Sequence, residues 1–318
     1  MTGTEAALVA DVGGTNIRLA AATASGFQNQ TTWLCSDFDT LTDALTTYIE
    51  TYLDKSRPTA AAIAVAGPVT GDKVDITNQR WNFSIEELRT DLKLEKLIVV
   101  NDFTAQAAAI PRLEPTDIEP IKEGIPIQDK AIAVLGPGTG LGVSGLVYSG
   151  YNWIPLAGEG GHVTLGATNE REWAILEVLQ GIFGRVSAER VLSGPGLVNL
   201  FRALCQLDGE AAVESTPAEI VELAGTSPES RAAETVRIFS GWLGTVAGDF
   251  ALTLGAWTGV YLCGGVLPKM GQRFAREQFS ERFVDKGRYR GHMERIPVHL
   301  VTNTEIAHLG LTALLDLN

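Results

Sequence analysis

The chain opens on a short apolar run, Ala7 to Ala10, a turn, Asp11-Val12-Gly13-Gly14-Thr15-Asn16, and a second apolar run, Ile17 to Ala22. Apolar runs flanking a glycine turn read as strand, tight turn, strand. Thr31 to Leu34 predicts a third strand. The period then changes: positions 41, 44, 45, 48, 49, 52 and 53 are apolar, which is helical spacing over Leu41 to Leu53. Ala60 to Ala66 and Leu97 to Val100 are continuous apolar runs suited to buried strands. Between them, Ser84 followed by Ile85-Glu86-Glu87 reads as a helix cap with an acidic first turn. The strand ending at Val100 stops at Asn101-Asp102, and an alanine-rich helix over Phe103 to Ile110 follows.

Pro111 to Pro126 holds four prolines and no clear period, and reads as a boundary or hinge. The second half then opens like the first. Ala131 to Leu135 is apolar, Gly136 to Gly140 forms a turn, and Leu141 to Tyr148 is apolar again. Gly138-Thr139 repeats Gly14-Thr15 at an offset of 124 residues, with Ala7 falling on Ala131. A duplicated strand–turn–strand unit would leave this trace. Further on, Glu170 to Phe183 predicts a helix with Trp173, Leu176, Leu179, Ile182 and Phe183 on one side. Ser193 before Gly194-Pro195-Gly196 predicts another helix start, and Ala232 to Leu254 an apolar helix. Gly259 to Cys263 and Val298 to Val301 read as strands. Helices are expected after Pro268 and over Ile306 to Leu315.

Composition narrows the class. A chain of 318 residues suits two domains of about 150 residues each. The net charge of −13 repels nucleic acid and anionic membranes at long range, so neither is an expected partner. It also repels free nucleotide, so any nucleotide site needs a local positive field from backbone N–H groups, helix N-termini or a magnesium ion. Cys35, Cys205 and Cys263 are far apart, with no C-x-x-C pair, which suggests neither structural zinc nor a disulfide framework and fits a reducing cytoplasm. Met1 to Leu8 lacks the basic and long apolar regions of a signal peptide. Ala247 to Cys263 carries Asp249 and three glycines, and reads as core rather than membrane span.

Several segments carry chemistry. In Ala10-Asp11-Val12-Gly13-Gly14-Thr15 the glycines leave successive N–H groups unshielded, a concavity for phosphate oxygens, and Asp11 is placed to hold a magnesium-bound water. Alone, the segment reads equally as a plain hairpin with a solvated Asp. No G-x-x-x-x-G-K-[ST] run exists, so a P-loop is excluded, and a strand after the glycines argues against a dinucleotide fingerprint. Gly138-Thr139-Gly140 is a second such turn, and two together are far more specific than one. Asp102, at a strand end, is placed to accept a proton from a substrate hydroxyl. Taken alone it reads more readily as the cap of the following helix. Glu159 and His162 lie in a glycine-rich loop suited to bonding vicinal sugar hydroxyls, or to structural contacts. Zinc-site histidine spacing is absent. Glu189 reads locally as a surface ion pair with a nearby arginine. Gly264-Gly265 would let backbone approach an adenine ring, or form an ordinary βα turn.

Together, Asp11–Thr15, Asn101–Ala105, Gly138–Gly142, Gly158–His162, Ser187–Asn199 and Gly264-Gly265 closely resemble the bacterial glucokinase family of the actin/hsp70/sugar-kinase superfamily, nearly end to end. Val186 to Leu200 is the most specific stretch, and Thr302 to Ala307 matches least well. The zinc-binding cysteine cluster of the related repressor/kinase group is missing, which points to the zinc-free branch. The resemblance implies an α/β, actin-like (ribonuclease H-like) two-domain sugar kinase fold with a deep interdomain cleft. It implies a small domain of residues 1–110 plus 301–318 and a large domain of residues 111–300. It also implies homodimers in the cytoplasm and transfer of the γ-phosphoryl group of ATP, with Mg2+, to the 6-hydroxyl of D-glucose. Asp102 matches the general base, and Asn101, Glu159, His162 and Glu189 match the glucose ligands. Ala10 to Thr15 and Gly138 to Gly140 match the phosphate loops, and Gly264-Gly265 an adenosine contact. No resident metal ligand is implied. A kinase for another hexose and a non-catalytic sugar-sensing regulator are the alternatives, the latter disfavoured by a phosphate loop that begins at residue 11.

Overall fold

A computed structural model describes residues 6–53, 57–76, 80–212 and 215–317. The leader reading falls partly on residues outside that range. The chain divides into two compact units, one of Met1–Leu113, Tyr151–Gly158 and Asn303–Asn318, the other of Glu114–Gly150 and Glu159–Thr302.

The first unit begins with β1 (Ala7–Val12), β2 (Asn16–Thr23), β3 (Gly26–Leu34), α1 (Leu41–Tyr52), β4 (Ala60–Val65), β5 (Lys73–Asp75), β6 (Asn82–Ser84), α2 (Ile85–Asp91), β7 (Lys96–Asn101) and α3 (Asp102–Ala109). The second starts with β8 (Ile118–Lys122), β9 (Ile132–Pro137) and β10 (Leu141–Tyr148). The chain returns to the first unit for β11 (Trp153–Gly158), which packs on α3. The second unit resumes with α4 (Glu170–Phe183), α5 (Gly194–Leu207), α6 (Pro217–Ala224), α7 (Arg231–Leu254), β12 (Gly259–Leu262), α8 (Val266–Met270), α9 (Arg276–Val284), α10 (Arg290–Met293) and β13 (Val298–Val301). Helix α11 (Ile306–Leu317) completes the first.

Side-chain caps fix the helix starts, two of them where the sequence reading placed them, at Ser84 and Ser193. Thr40 and Asp43 form a reciprocal capping box at α1, whose buried stripe is Leu41, Ala44, Leu45, Tyr48 and Ile49. Ser84 caps α2 by accepting from Glu87 N at 3.1 Å. Ser193 caps α5 by accepting from Gly196 N at 3.0 Å.

The first unit's sheet has the order β3-β2-β1-β4-β7. Strands β1 and β2 are antiparallel, while β1–β4 and β4–β7 are parallel. Within the second unit the order β10-β9-β12-β13 repeats that scheme: an antiparallel hairpin, then two parallel strands. The Gly-Thr offset of the sequence is therefore also a repeat of sheet topology. Both faces of the first sheet are covered. Leu8, Ala10, Val12 and Ile63 meet α1 on one side. Val9, Ala62 and Ala64 meet Ala105 of α3 and Leu311 of α11 on the other. That second face is lined by alanines, and the two helices over it lie very close together. A Cβ on Gly310 would sit 1.7 Å from Ala105 O, so only glycine admits this contact.

Two expectations are corrected. Residues 111–126 contain a strand, β8, which pairs antiparallel with β13 at the edge of the sheet. Pro120 hid it, because proline is tolerated in strands chiefly at such edges. Helix α4 buries Glu172, Ile175, Leu176 and Leu179, while Trp173 and Ile182 are about three-fifths exposed, at 61% and 62%. Burying an aliphatic side chain contributes roughly 1.5–3 kcal/mol, so three of them outweigh one tryptophan. The carboxylate of Glu172 is tolerated inside because Arg282 of α9 pairs with it.

Gly310→Ala should cost about 1–3 kcal/mol through overpacking. Gly181→Ala, in α4 with nothing within 4 Å of its Cβ, should instead stabilise by roughly 0.5–1 kcal/mol. Denaturant unfolding of the two variants checks the pair.

Candidate active site

The turn between β1 and β2 is pinned by its backbone. Gly13 N donates to Asn16 O at 2.9 Å, Cys35 N to Thr15 O at 2.9 Å, and Ala66 N to Val12 O at 3.1 Å. Gly14 and Thr15 are exposed at its tip, and Ala10 and Val12 are buried in β1 beneath it. Asp11 lies opposite Arg18 in the β1–β2 ladder, and Arg18 Nη1 is 3.3 Å from its Oδ2. Burial pushes the Asp11 carboxyl above its usual range, against the pull of Arg18 and His308. His308, buried on α11, has Nε2 3.3 Å from Arg18 O, and burial lowers its own pKa. The sequence reading missed Arg18 and His308. Counting the hairpin register from the glycine turn would have found Arg18; His308 reaches the site only through the tertiary docking of α11.

Asp102 is not the cap of α3. Asn101 is: its backbone is extended, and its Oδ1 accepts from Phe103 N at 2.8 Å and Thr104 N at 3.4 Å. Its Nδ2 donates to Gly67 O at 3.2 Å, fixing the carboxamide. Asp102 is thus the first helical residue, with Oδ1 accepting from Phe103 N at 2.9 Å. Phe103 N is thus shared between the capping amide and the carboxylate. The carboxylate stands half-buried at the positive end of the helix.

In the second unit the turn Gly138–Gly140 joins β9 to β10. Gly138 N donates to Gly140 O at 2.8 Å, and Gly138 O accepts from Gly194 N at the start of α5 at 2.8 Å. Thr139 is exposed at the tip. Gly264, with φ +83°, lies against this turn's root, where a Cβ would be 2.6 Å from Pro137 O. Gly265 is exposed and open.

The loop after β11 brings the remaining residues together. His162 N donates to Glu159 O at 3.0 Å, and Arg185 Nη2 donates to His162 O at 2.9 Å. The side chains of Glu159 and His162 are exposed. Glu189 does not pair with a neighbouring arginine as its local sequence suggested. Its Oε2 accepts from Leu141 N at 2.9 Å, and its Oε1 lies 4.0 Å from His162 Nδ1. Arg190 stacks instead over the Phe183 ring, 4.4 Å from its centroid. The second unit therefore gathers Glu189, His162 and the glycine turn, with Glu159 in the same loop. Asn101, Asp102 and Ala10–Thr15 belong to the first unit.

Two units on one strand scheme, each headed by a glycine turn, define a two-domain sugar kinase fold. The solved glucokinase of an Antarctic psychrotroph shares it with a TM-score of 0.90 and 36% identity, covering 99% of this chain and 100% of that one. Residues 8–318 match the glucokinase family model. A glucokinase of Aromatoleum aromaticum is 44% identical over 311 residues, 97% of this chain and 94% of that protein. One of Nitrobacter hamburgensis is 43% identical over 310 residues, 96% of each. The chain belongs to the glucokinase family and is an ATP-dependent hexose kinase.

The last residue of β7 and the first of α3 should differ in a stability measurement. Asn101→Ala is expected to cost about 1 kcal/mol through the lost cap. Asp102→Ala is expected to cost less in urea unfolding, roughly 0.3–1 kcal/mol, because a carboxylate in the first helical turn is lost.

Proposed function

We propose that Asp102 is the general base in transfer of the γ-phosphoryl group of ATP to the 6-hydroxyl of D-glucose. The observation that carries this is the division of labour at the end of β7. Asn101 caps the helix, and the Asp102 carboxylate beside it, bonded through Oδ1 to Phe103 N, stands at a strand end where ligands of α/β sheets bind. In the reaction the O6–H bond breaks and its proton passes to Asp102. The bond from O6 to the γ-phosphorus forms as the bond to the bridging oxygen of ADP breaks. Such transfer depends on positioning and charge stabilisation rather than covalent catalysis.

Glu159, His162 and Glu189 are the sugar-hydroxyl ligands in this reading, with Asn101 as a fourth. Two exposed polar side chains and a half-buried carboxylate in one loop region support it. The turns Ala10–Thr15 and Gly138–Gly140 receive the phosphates, their exposed tips offering backbone N–H groups. Gly264-Gly265 is the adenosine contact, a stretch where no side chain intervenes. Among the described residues no group of three His, Cys, Asp or Glu is arranged to hold a metal ion. A single carboxylate at a strand end, Asp11, suits Mg2+ that arrives on the triphosphate and keeps most of its waters. When bound, the ion would neutralise charge on the phosphates. Asp11 would hold it through water, exchanging its present partner Arg18. We further read the chain as a cytoplasmic homodimer, on its family membership. No helix among the described residues is long and apolar enough to cross a membrane.

Asp102→Ala should fold, keep glucose KM within a few-fold, and lose kcat by about 10²–10⁴. Near wild-type turnover would remove Asp102 from the role of base. Glu159→Gln should raise glucose KM at least tenfold while leaving ATP KM nearly unchanged, because the site loses a partner made for one hydroxyl. Equal losses for both substrates in a coupled assay of glucose 6-phosphate formation would contradict that assignment.

A further inference from the structure

We infer that Glu189 is a relay between sugar and nucleotide: one of its carboxylate oxygens holds the second phosphate turn in shape, and the other is the atom offered to the sugar. The inference rests on the sugar-ligand role proposed above and goes beyond it, because a ligand for glucose alone has no reason to touch the phosphate turn.

The geometry divides the two oxygens. Oε2 accepts from Leu141 N at 2.9 Å, at the point where the turn Gly138–Gly140 enters β10. It also fills the space beside Gly140, where a Cβ would lie 2.4 Å from Oε2 and 3.2 Å from the carboxylate carbon. Oε1 faces His162, with its Nδ1 at 4.0 Å. The backbone of Glu189 is anchored as well. Its carbonyl accepts from Ser193 Oγ at 2.9 Å, and the same hydroxyl caps α5. The first residue of that helix, Gly194, donates to Gly138 O at 2.8 Å. Glu189 therefore reaches both ends of the turn, by its side chain at Leu141 and by way of Ser193 and Gly194 at Gly138. The opposite side of the sugar loop is equally close. A Cβ on Gly161 would lie 2.0 Å from Leu141 O, so the loop carrying His162 rests on the same residue whose N–H Glu189 holds.

Two consequences follow. Oε2 is committed to Leu141 N, so Glu189 meets the sugar through Oε1, the oxygen that faces His162. A sugar hydroxyl bound there adds a hydrogen bond at Oε1 to a side chain that is 32% exposed, where the present contact is His162 Nδ1 at 4.0 Å. The turn is then better ordered before nucleotide arrives. Sugar and nucleotide bind with positive coupling, and the coupling runs in both directions by thermodynamic necessity.

Calorimetric titration of AMP-PNP with magnesium, with and without saturating glucose, tests this on the whole chain, alongside glucose KM. Glu189→Gln keeps an oxygen for Leu141 N but turns an amide NH2 toward the sugar. It should raise glucose KM about tenfold or more while leaving AMP-PNP affinity in the absence of glucose within twofold. Glu189→Ala removes both contacts, and should weaken AMP-PNP about three- to tenfold even without glucose. Gly140→Ala, in the phosphate turn, displaces Oε2 and should raise glucose KM several-fold. If AMP-PNP affinity without glucose is unchanged in Glu189→Ala while glucose KM rises, the relay is overturned and the sugar role stands. If glucose KM is unchanged in both Glu189 variants, the sugar role itself is wrong and the relay falls with it.

Discussion

One backbone carbonyl, Ala105 O, occupies the place where a side chain on residue 310 would be. This contact lets α3 and α11 lie side by side over a sheet face made of alanines. Small side chains on the sheet bring the helices down, and the missing side chain on Gly310 brings them together. Position at the start of α3 is set by this packing, since a helix this short has little stability of its own. Asp102 is the first residue of that helix. Its position thus follows from apolar contacts distributed along α3.

The second unit solves its own positioning problem with polar contacts. Its glycine turn is tied to the N-terminus of α5 through Gly194 and to Glu189 through Leu141. A hydrogen bond to a charged group contributes about 1.5–3 kcal/mol, enough to prefer one turn geometry over its neighbours. The first unit's turn is held by backbone bonds from Gly13, Cys35 and Ala66, and its carboxylate, Asp11, is paired with Arg18 across the hairpin. Two turns of similar sequence are therefore stabilised by different means.

Much of this was legible in the residues. Periodicity placed α1 with its buried stripe and, apart from residues 26–30 of β3, the strands of the five-stranded sheet, and residue type placed the caps at Ser84 and Ser193. The Gly-Thr repeat anticipated the shared strand scheme. What escaped was of two kinds. Choices between neighbouring residues, such as Asn101 against Asp102 as cap, depend on which backbone turns helical first, and both residue types cap well. Long-range partners, such as Arg282 for Glu172 or His308 for Arg18, leave no local period to read. The apolar face of α4 was misplaced because a large exposed tryptophan weighs more in a pattern than in the packing. The local reading of Glu189 failed for the same reason: sequence neighbours named an arginine, and the fold supplied a backbone N–H and a histidine.

The unequal fastening of the two glycine turns bears on how such a molecule can drift. Each turn descends from a similar strand pair, and at first sight each should tolerate the same replacements. Gly138 has open space around its Cα, whereas Gly140 is pressed against Glu189. A change at the second position is felt by Glu189, the residue proposed to meet the sugar, so on that reading it is filtered by two substrates at once. Homologues with altered sugar preference should accordingly show paired replacements at these two positions, while the first turn varies independently of the acceptor.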